Sequence, residues 1–122
     1  MSLENARSLP LDQEHLTEVS GGDPEFEAEL IQDFLAMAPN LLVEIESAIS
    51  ANDVLAVQRA AHSLKGSSRS LGAVAIGFAA EDLDNLSRCG DLSGADFQFG
   101  TLARRFDEFN DFVGEHVEWQ AA

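Results

Sequence analysis

The residues best suited to chemistry lie in one short segment centred on His62. Lys65 follows three residues later, Gly66 four residues later and Arg69 seven residues later. All of them fall in a window, residues 54–80, that contains no Asp or Glu although the chain has 22 acidic residues. A neutral imidazole is a nucleophile at neutral pH, and cations beside it favour the binding of an anion. The pattern predicts a histidine that handles an anion, and the best candidate is a phosphoryl group carried on its own ring.

This segment has the signals of a single helix. Asp53 is a typical N-cap residue and Gly72 is typical of the position after a helix, so we expect a helix from Asp53 to Leu71. With a rotation of about 100° per residue, its apolar residues fall on one side, as in a helix that faces a core. The residues of the predicted core stripe are Val57, Ala60, Ala61, Leu64, Ser68 and Leu71.

His62 lies on the opposite side of this helix, about 160° from Leu64, and is expected to face solvent. Lys65, Gly66 and Arg69 share that outer face. Glycine within a helix costs about 1 kcal/mol relative to alanine. Since no core packing on a solvent face benefits from the missing side chain, Gly66 indicates that another protein must approach the helix closely.

The remainder of the chain also shows helical periodicity, and no alternating segment bounded by hairpin turns favours a β-strand. Asp23 and Pro24 mark a helix start, whereas Pro39 should kink or break the helix that follows. Because the connections are short, we predict an all-α protein, an up-and-down antiparallel four-helix bundle with a short extra N-terminal helix. The expected helices are residues 11–19, 24–51, 53–71, 74–88 and 95–117, within a domain 11–120 that follows a flexible tail of residues 1–10.

The charge of the chain restricts its partners. The formal net charge is −15, which argues against nucleic acid and anionic membranes because both require a basic face. No apolar run approaches the roughly 20 residues of a spanning helix, and the N-terminus does not have the pattern of a signal peptide. Cys89 is the single cysteine and cannot form an intrachain disulfide, which fits a reducing cytoplasm. We expect a monomeric cytoplasmic protein.

Other kinds of site fit the sequence less well. A zinc site made from His15, His62 and His116 would lack the short ligand spacings of zinc-binding motifs. A hydrolase that uses His62 as a base would need an orienting acid, and residues 54–80 contain none. Glycine-rich phosphate loops are absent, so ATP is not the direct phosphate donor. We expect no metal, no cofactor and no enzyme activity of the chain's own.

The segment that begins at His62 has leucine at its second following position, lysine at the third and glycine at the fourth, with small residues and Leu-Gly-Ala after them. With the helix lengths and turns of residues 11–117, it resembles the histidine-containing phosphotransfer (HPt) domains of multistep phosphorelays. The residues that carry the resemblance are His62-Ser63-Leu64-Lys65-Gly66-Ser67-Ser68 and Leu71-Gly72-Ala73, with Gly22-Asp23-Pro24-Glu25-Phe26, Phe34-Leu35 and Asn52-Asp53 upstream.

The resemblance implies roles for three residues. His62 would be the phosphoacceptor, Lys65 would help to hold the phosphoryl group, and Gly66 would leave room for the partner. The implied partners are receiver domains of response regulators or hybrid sensor kinases. One receiver aspartate would donate the phosphoryl group to His62 and another would accept it. The chain would then be a stoichiometric phosphocarrier, and any Mg²⁺ would belong to the receiver.

The helical geometry adds further expectations around this motif. Arg69 would supply a second cation for the phosphoryl group, and Gln58 and Arg59, one turn before His62, would contact a docked receiver. Lys65 would otherwise carry a solvated charge and contribute little to the fold. The acid-free window would keep carboxylates away from the phosphoryl group.

A second interpretation remains open. A helical interaction module with the same fold could bind a receiver or kinase domain without carrying phosphate. The presence of His62, Lys65 and Gly66 together favours phosphotransfer. Incubation with a phosphorylated receiver distinguishes the two interpretations.

Overall fold

The structure, a computed structural model, describes residues 7–120. This part of the chain is α-helical, with one short 3₁₀ helix near its C-terminal end and no β-strand. The predicted all-α class is therefore confirmed. The helices are α1 (Gln13–Ser20), α2 (Pro24–Ser50), α3 (Val54–Leu71), α4 (Val74–Arg88), α5 (Ala95–Gly114) and the 3₁₀ helix (Val117–Trp119).

Aspartate side chains start α2 and α3 at the positions that the sequence predicts. The carboxylate of Asp23 accepts hydrogen bonds from the amides of Glu25 and Phe26, at 3.0 and 3.4 Å. The carboxylate of Asp53 accepts one from the amide of Ala56, at 3.1 Å. Each cap satisfies amides that the first turn of a helix leaves without a helical partner.

The turn between α3 and α4 contains only Gly72 and Ala73. Gly72 has a φ of 94°, in the left-handed region that glycine adopts without strain. The amides of both residues donate to the carbonyl of Ser68, at 2.9 and 2.8 Å, and end α3 there. Since the turn is so short, α4 returns beside α3 and the two helices pack along each other.

Pro39 does not break the helix in which it lies, because α2 continues from Pro24 to Ser50. Proline has no amide hydrogen and removes one bond from the helical ladder. Pro39 is exposed, so water can reach the carbonyl that loses its partner. Phe34 and Ile45, one on each side of it, are buried in the core and hold both halves of the helix.

The C-terminal helix is shorter than the predicted 95–117, since α5 ends at Gly114. The chain then turns into the 3₁₀ helix, and Trp119 packs back against α2 with only 3% of its surface exposed. The side-chain amide of Gln32 donates to the carbonyl of Trp119 at 2.8 Å, and the Trp119 indole donates to Glu27 at 3.4 Å. These contacts fix the end of the described chain to α2.

Part of the predicted flexible tail, residues 1–10, is held against α4. The amide of Ala75 donates to the carbonyl of Leu9 at 2.9 Å. The guanidinium of Arg7 pairs with Asp82 at 3.1 Å and lies over the ring of Phe78, 4.7 Å from its centre. Residues 7–10 therefore include contacts with α4, while residues 1–6 lie outside the described residues, and the predicted bounds of tail and domain stay a prediction.

The packing of α3 decides what its outer face can do. It contacts α2 on one flank and α4 on the other, with α1 near its C-terminal end. All six residues of the predicted core stripe are buried, so that prediction is confirmed. The opposite face of α3 is left for solvent or a partner. Within residues 7–120, no helix is both long and apolar enough to span a membrane.

Candidate functional site

His62 projects from the middle of α3 into solvent, as predicted. Its side chain is 62% exposed. Gly66, one turn further along, is also exposed, and a Cβ built on it would meet no other atom within 4 Å. The helix therefore presents an accessible imidazole beside bare backbone.

A buried carboxylate lies directly beneath this imidazole. Asp84, on α4, is 0% exposed and faces α3. Its Oδ2 is 3.4 Å from Nδ1 of His62 and accepts a hydrogen bond from Nζ of Lys65 at 3.1 Å. Its Oδ1 accepts a hydrogen bond from Nε of Arg88 at 3.0 Å. Four side chains from α3 and α4 thus form one cluster, which we call the Asp84 cluster: His62, Lys65, Asp84 and Arg88.

The Asp84 cluster corrects the expectation that the acid-free window keeps carboxylates away from His62. The window ends at residue 80, and the next acidic residues lie from the middle of α4 onwards, where this helix returns along α3. Asp84 is separated from His62 by 22 positions and from Lys65 by 19, yet touches both. Glu81 reaches Arg69 in the same way. The two-residue turn between the helices brings these carboxylates back to α3.

Asp84 remains ionised at neutral pH despite its burial. Burial alone would raise its pKa, but hydrogen bonds from Lys65, His62 and Arg88, with the positive charge of Arg88, outweigh that effect and lower the pKa. An ionised carboxylate can only accept hydrogen bonds. Nδ1 of His62 must therefore carry the proton in this contact, and the lone pair of the neutral ring lies on Nε2.

Lys65 differs from its predicted environment. Its side chain is only 18% exposed, and its ammonium group is paired with Asp84. The expectation of a solvated charge with little effect on the fold is therefore wrong, because the ammonium group compensates a buried carboxylate. It still lies one turn from His62, within the Asp84 cluster.

Arg69 lies outside the Asp84 cluster. Its guanidinium pairs with Glu81 of α4 at 2.7 Å, and its side chain is 52% exposed. The aliphatic part of the Arg69 side chain lies next to Gly77 of α4. A Cβ built on Gly77 would be 3.5 Å from Cγ of Arg69. In this structure the arginine bridges α3 and α4 rather than approaching His62.

Gln58 and Arg59 lie one turn before His62, as predicted, with Gln58 half-buried and Arg59 exposed. Arg59 and Ser63 line a groove of about 600 Å³ between α2 and α3. Further along the same flank of α3, Ser67 lines a second groove of about 390 Å³ together with residues of α1 and α2. Open, largely apolar grooves therefore border the His62 face on the side of α2.

Two members of the Asp84 cluster, Asp84 and Arg88, were not predicted from the sequence as site residues. A signal was present, because Asp84 lies four residues after Ala80 and eight after Ile76, on the buried stripe of α4. A carboxylate on such a stripe requires a partner. Arg88, four residues further, lies on the same side of the helix and is the local candidate.

The other two histidines, His15 and His116, have contacts outside the Asp84 cluster. Nε2 of His15 donates to the carbonyl of Ser70 at 3.0 Å, and Nδ1 of His116 donates to the carbonyl of Phe112 at 2.8 Å. His116 also stacks on Trp119. Among residues 7–120, no group of three or more His, Cys, Asp or Glu side chains could hold a metal ion.

Comparison with known proteins gives a family and a fold. A family model described as the Hpt domain matches residues 29–112, more than half of the chain. This chain belongs to the Hpt domain family. Its helices also superpose on the crystal structure of histidine-containing phosphotransfer protein B (HptB) from Pseudomonas aeruginosa PAO1, with a TM-score of 0.84 and 23% sequence identity. The match covers 92% of this chain and 97% of that one. A search of curated proteins found no match.

Membership of the Hpt domain family defines the kind of function. Hpt domains take part in histidine phosphotransfer within a phosphorelay, and they interact there with receiver domains. They are phosphocarriers rather than enzymes. The chain is therefore a histidine phosphotransfer protein, and its predicted family is confirmed.

The buried carboxylate of Asp84 leads to a prediction of how the free energy of unfolding depends on pH. Because the pKa of Asp84 is lowered from its ordinary 3.8, its ionised form contributes stability above that pH, and the contribution is lost as the pH falls through the lowered pKa. Asp84→Asn should lower the free energy of unfolding at pH 7 by about 1–3 kcal/mol, since three donors lose an ionised acceptor. Urea unfolding should show this difference shrinking as the pH falls below 3.8.

Asp82→Asn is the matched control for this measurement. Asp82 lies on the same helix, but its side chain is 40% exposed and its partner is Arg7. We expect a smaller loss, about 0–1 kcal/mol, as for other exposed ion pairs. Equal losses in the two variants at pH 7, or a loss for Asp84→Asn that does not change with pH, would contradict the assignment.

Proposed function

We propose that His62 carries the phosphoryl group of a phosphorelay on its Nε2 atom. It accepts the group from the aspartate of one receiver domain and passes it to the aspartate of another. The observation that supports this most directly is the exposed imidazole whose Nδ1 is paired with Asp84. That pairing leaves the lone pair of Nε2 available to an incoming phosphorus atom.

The proposed transfer needs no base on this chain. The lone pair of Nε2 forms a bond to phosphorus while the bond between phosphorus and the receiver carboxylate breaks. The electron pair of that bond leaves with the carboxylate. Nδ1 keeps its proton, so the ring becomes cationic and the three phosphoryl oxygens keep their charge. Transfer to the second receiver reverses these changes. Any Mg²⁺ that assists belongs to the receiver, and the chain itself needs no cofactor.

Two cations of the Asp84 cluster are suited to the charge that the phosphoryl group adds. A phosphoryl group adds about two negative charges at neutral pH. Lys65 lies one turn from His62 on the same helix, and Arg88 lies across from it on α4 with a side chain that is 52% exposed. We assign Lys65 the main stabilising role and Arg88 a supporting one. Arg69 has a weaker effect, because Glu81 already pairs with its guanidinium.

The receiver docks on the outer face of α3. Gly66 allows its backbone to come close to the helix, and Gln58 and Arg59 contact it beside His62. The two grooves on the α2 side of α3 offer apolar surface for such a complex. Since these features surround the same imidazole, one docked receiver can contact them together.

The family and the fold support several finer proposals. Residues 11–120 form an up-and-down antiparallel four-helix bundle with α1 as an extra N-terminal helix, consistent with the short turn between α3 and α4. The protein acts as a cytoplasmic monomer, and the exposed thiol of Cys89 favours a reducing compartment. Its net charge of −15 disfavours nucleic acid and anionic membranes as partners.

The first prediction for this function concerns His62→Gln. The variant should remain folded, because the histidine side chain is mostly exposed and glutamine can still donate a hydrogen bond towards Asp84. It should accept no acid-labile phosphate from a phosphorylated receiver that labels the wild type. The measurement is radiolabel transfer followed by acid and alkali treatment, with melting curves for both proteins.

His15→Gln and His116→Gln are the controls, since neither histidine contacts the Asp84 cluster. Both should accept phosphate as the wild type does. Phosphate on the His62→Gln variant would disprove the assignment. A wild type that binds the phosphorylated receiver without taking phosphate would favour the interaction module instead.

The second prediction compares two cations on α3. Lys65→Ala should lower the free energy of unfolding by about 1–2 kcal/mol, because Asp84 loses a charge-assisted hydrogen bond while keeping two donors. It should also slow phosphotransfer. Arg69→Ala removes an exposed pair and should cost about 0–1 kcal/mol with a smaller effect on transfer. Chemical unfolding and single-turnover transfer measure both effects, and equal transfer rates for the two variants would exclude a special role for Lys65.

The third prediction concerns Gly66. Gly66→Ala should raise the free energy of unfolding by about 0.5–1 kcal/mol, because alanine loses less backbone entropy and its Cβ meets open space. Gly66→Gln should also fold, but its longer side chain should occupy the space of a docking receiver and slow transfer. Thermal melts and receiver-to-His62 transfer measure the two effects separately.

Gly100 provides a matched control for Gly66. It is an exposed glycine within α5, and an added Cβ there also meets no atom within 4 Å. Gly100→Ala and Gly100→Gln should change stability as the Gly66 variants do while leaving transfer at the wild-type rate. Transfer by Gly66→Gln that is as fast as transfer by Gly100→Gln would mean that access is not the reason for Gly66.

A further inference from the structure

We infer that Asp84 keeps a proton on Nδ1 of His62 throughout the phosphotransfer cycle, so that the phosphorylated ring stays cationic and releases its phosphoryl group readily. Asp84 is thus a positioning residue that also sets the charge of the phosphohistidine. This inference rests on the proposed function, because it assumes that His62 carries the phosphoryl group.

The first argument is the direction of the hydrogen bond. The carboxylate of Asp84 can only accept, so the 3.4 Å contact with Nδ1 requires a proton on that nitrogen. At this distance the contact is long for an N–H···O hydrogen bond. It should shorten when the ring becomes cationic, since hydrogen bonds between ions are shorter and stronger.

The second argument is the position of the charge. Asp84 is fixed by Lys65 and Arg88 and is 0% exposed, so it cannot turn away from the ring when the phosphoryl group arrives. A fixed anion beside an imidazole stabilises its cationic form. The ionisable groups around this face are Arg59 and Lys65 on α3, Asp84 and Arg88 on α4, and Glu44 on α2, which lines a groove together with Arg59.

These neighbours leave Asp84 as the group with the largest influence on the ring. Glu44 lines the groove on the α2 side, and no hydrogen bond joins it to His62 among the described residues. α1 meets α3 at Ser70, two turns away from His62. The cations of the cluster act in the opposite direction, but the group in direct contact with the ring is Asp84, whose Oδ2 lies 3.4 Å from Nδ1.

The third argument is the chemistry of the bond that breaks. When a receiver carboxylate attacks phosphorus, the bond between phosphorus and Nε2 breaks and its electron pair returns to Nε2. If Nδ1 carries a proton, the leaving group is a neutral imidazole. If Nδ1 has lost its proton, the leaving group is an imidazolate anion, which is a much stronger base and leaves more slowly. A carboxylate that retains the Nδ1 proton therefore favours transfer in every cycle.

The first experiment uses the unphosphorylated wild type and needs no variant. Long-range ¹H–¹⁵N spectra of the histidine rings report which nitrogen carries the proton. The neutral ring of His62 should have its proton on Nδ1. His116 should show the same form and His15 the opposite one, because carbonyl groups accept from Nδ1 of His116 and Nε2 of His15. A neutral His62 with its proton on Nε2 would overturn the inference.

The second experiment measures the phosphorylated ring. Wild type, Asp84→Asn and the control Asp82→Asn are phosphorylated with phosphoramidate, and ¹⁵N shifts of the ring are followed against pH. At pH 8 the ¹⁵N shifts should report a smaller cationic fraction of the phosphorylated ring in Asp84→Asn than in the other two proteins.

The lifetime of the phosphohistidine gives a readout that a purely structural role would not change. At pH 8 the phosphoryl group should be lost about tenfold more slowly from Asp84→Asn than from wild type, both to water and to a receiver that the wild type phosphorylates. The difference should shrink towards pH 5, where solution supplies the ring proton in both proteins. Identical pH profiles would overturn the inference even if the variant is less stable.

The two proposals fail in different ways. If phosphoramidate and phosphorylated receivers label wild type but not His62→Gln, the proposed function stands whatever Asp84→Asn does. If label persists on His62→Gln, the proposed function fails. Should Asp84→Asn be too unstable to study, the wild-type tautomer of His62 decides the inference by itself.

Discussion

The site depends on one interaction, the burial of the Asp84 carboxylate between α3 and α4. An ionised carboxylate without water around it is costly unless charged donors surround it. Lys65 and His62 supply donors from α3, and Arg88 supplies one from the next turn of α4. Because the donors come from both helices, the interaction fixes how α3 and α4 lie against each other. It also orients the imidazole that projects above it, so the same contact serves the fold and the chemistry.

This arrangement would prepare the proposed site for a phosphoryl group before one arrives. The side chains of Lys65 and Arg88 are held by Asp84, so they lose little further freedom when a second anion binds beside them. The arriving group must share these cations with the carboxylate. A site without Asp84 would hold the phosphoryl group more tightly and would be a poorer donor to the next receiver. A phosphocarrier must release the phosphoryl group as well as accept it. A carboxylate that competes for the same cations favours this release.

The local features of the fold follow from the sequence, whereas the contacts between helices do not. The caps at Asp23 and Asp53 and the buried stripe of α3 depend on residues within a few positions of one another, and the structure has all of them. The pairing of His62 with Asp84 joins residues 22 positions apart, and it depends on how α4 returns after Gly72. An acid-free stretch of sequence is therefore not an acid-free region of space. Tertiary packing likewise carries α2 through Pro39, where local rules predict a kink or break.

The distribution of charge distinguishes the proposed docking face from the rest of this acidic chain. Four of its seven basic residues, Arg59, Lys65, Arg69 and Arg88, lie on α3 and α4 near the proposed docking face. Three of them are paired with two acidic side chains of α4, Glu81 and Asp84, so the face is weakly rather than strongly basic. At physiological salt, charges more than about 8 Å away are largely screened. The distant acidic surface then contributes little to docking, and the grooves beside α3 and the exposed imidazole determine which receiver fits. A weakly basic face would also permit release once the phosphoryl group has moved, because partial pairing of its cations limits the charge attraction between the two proteins.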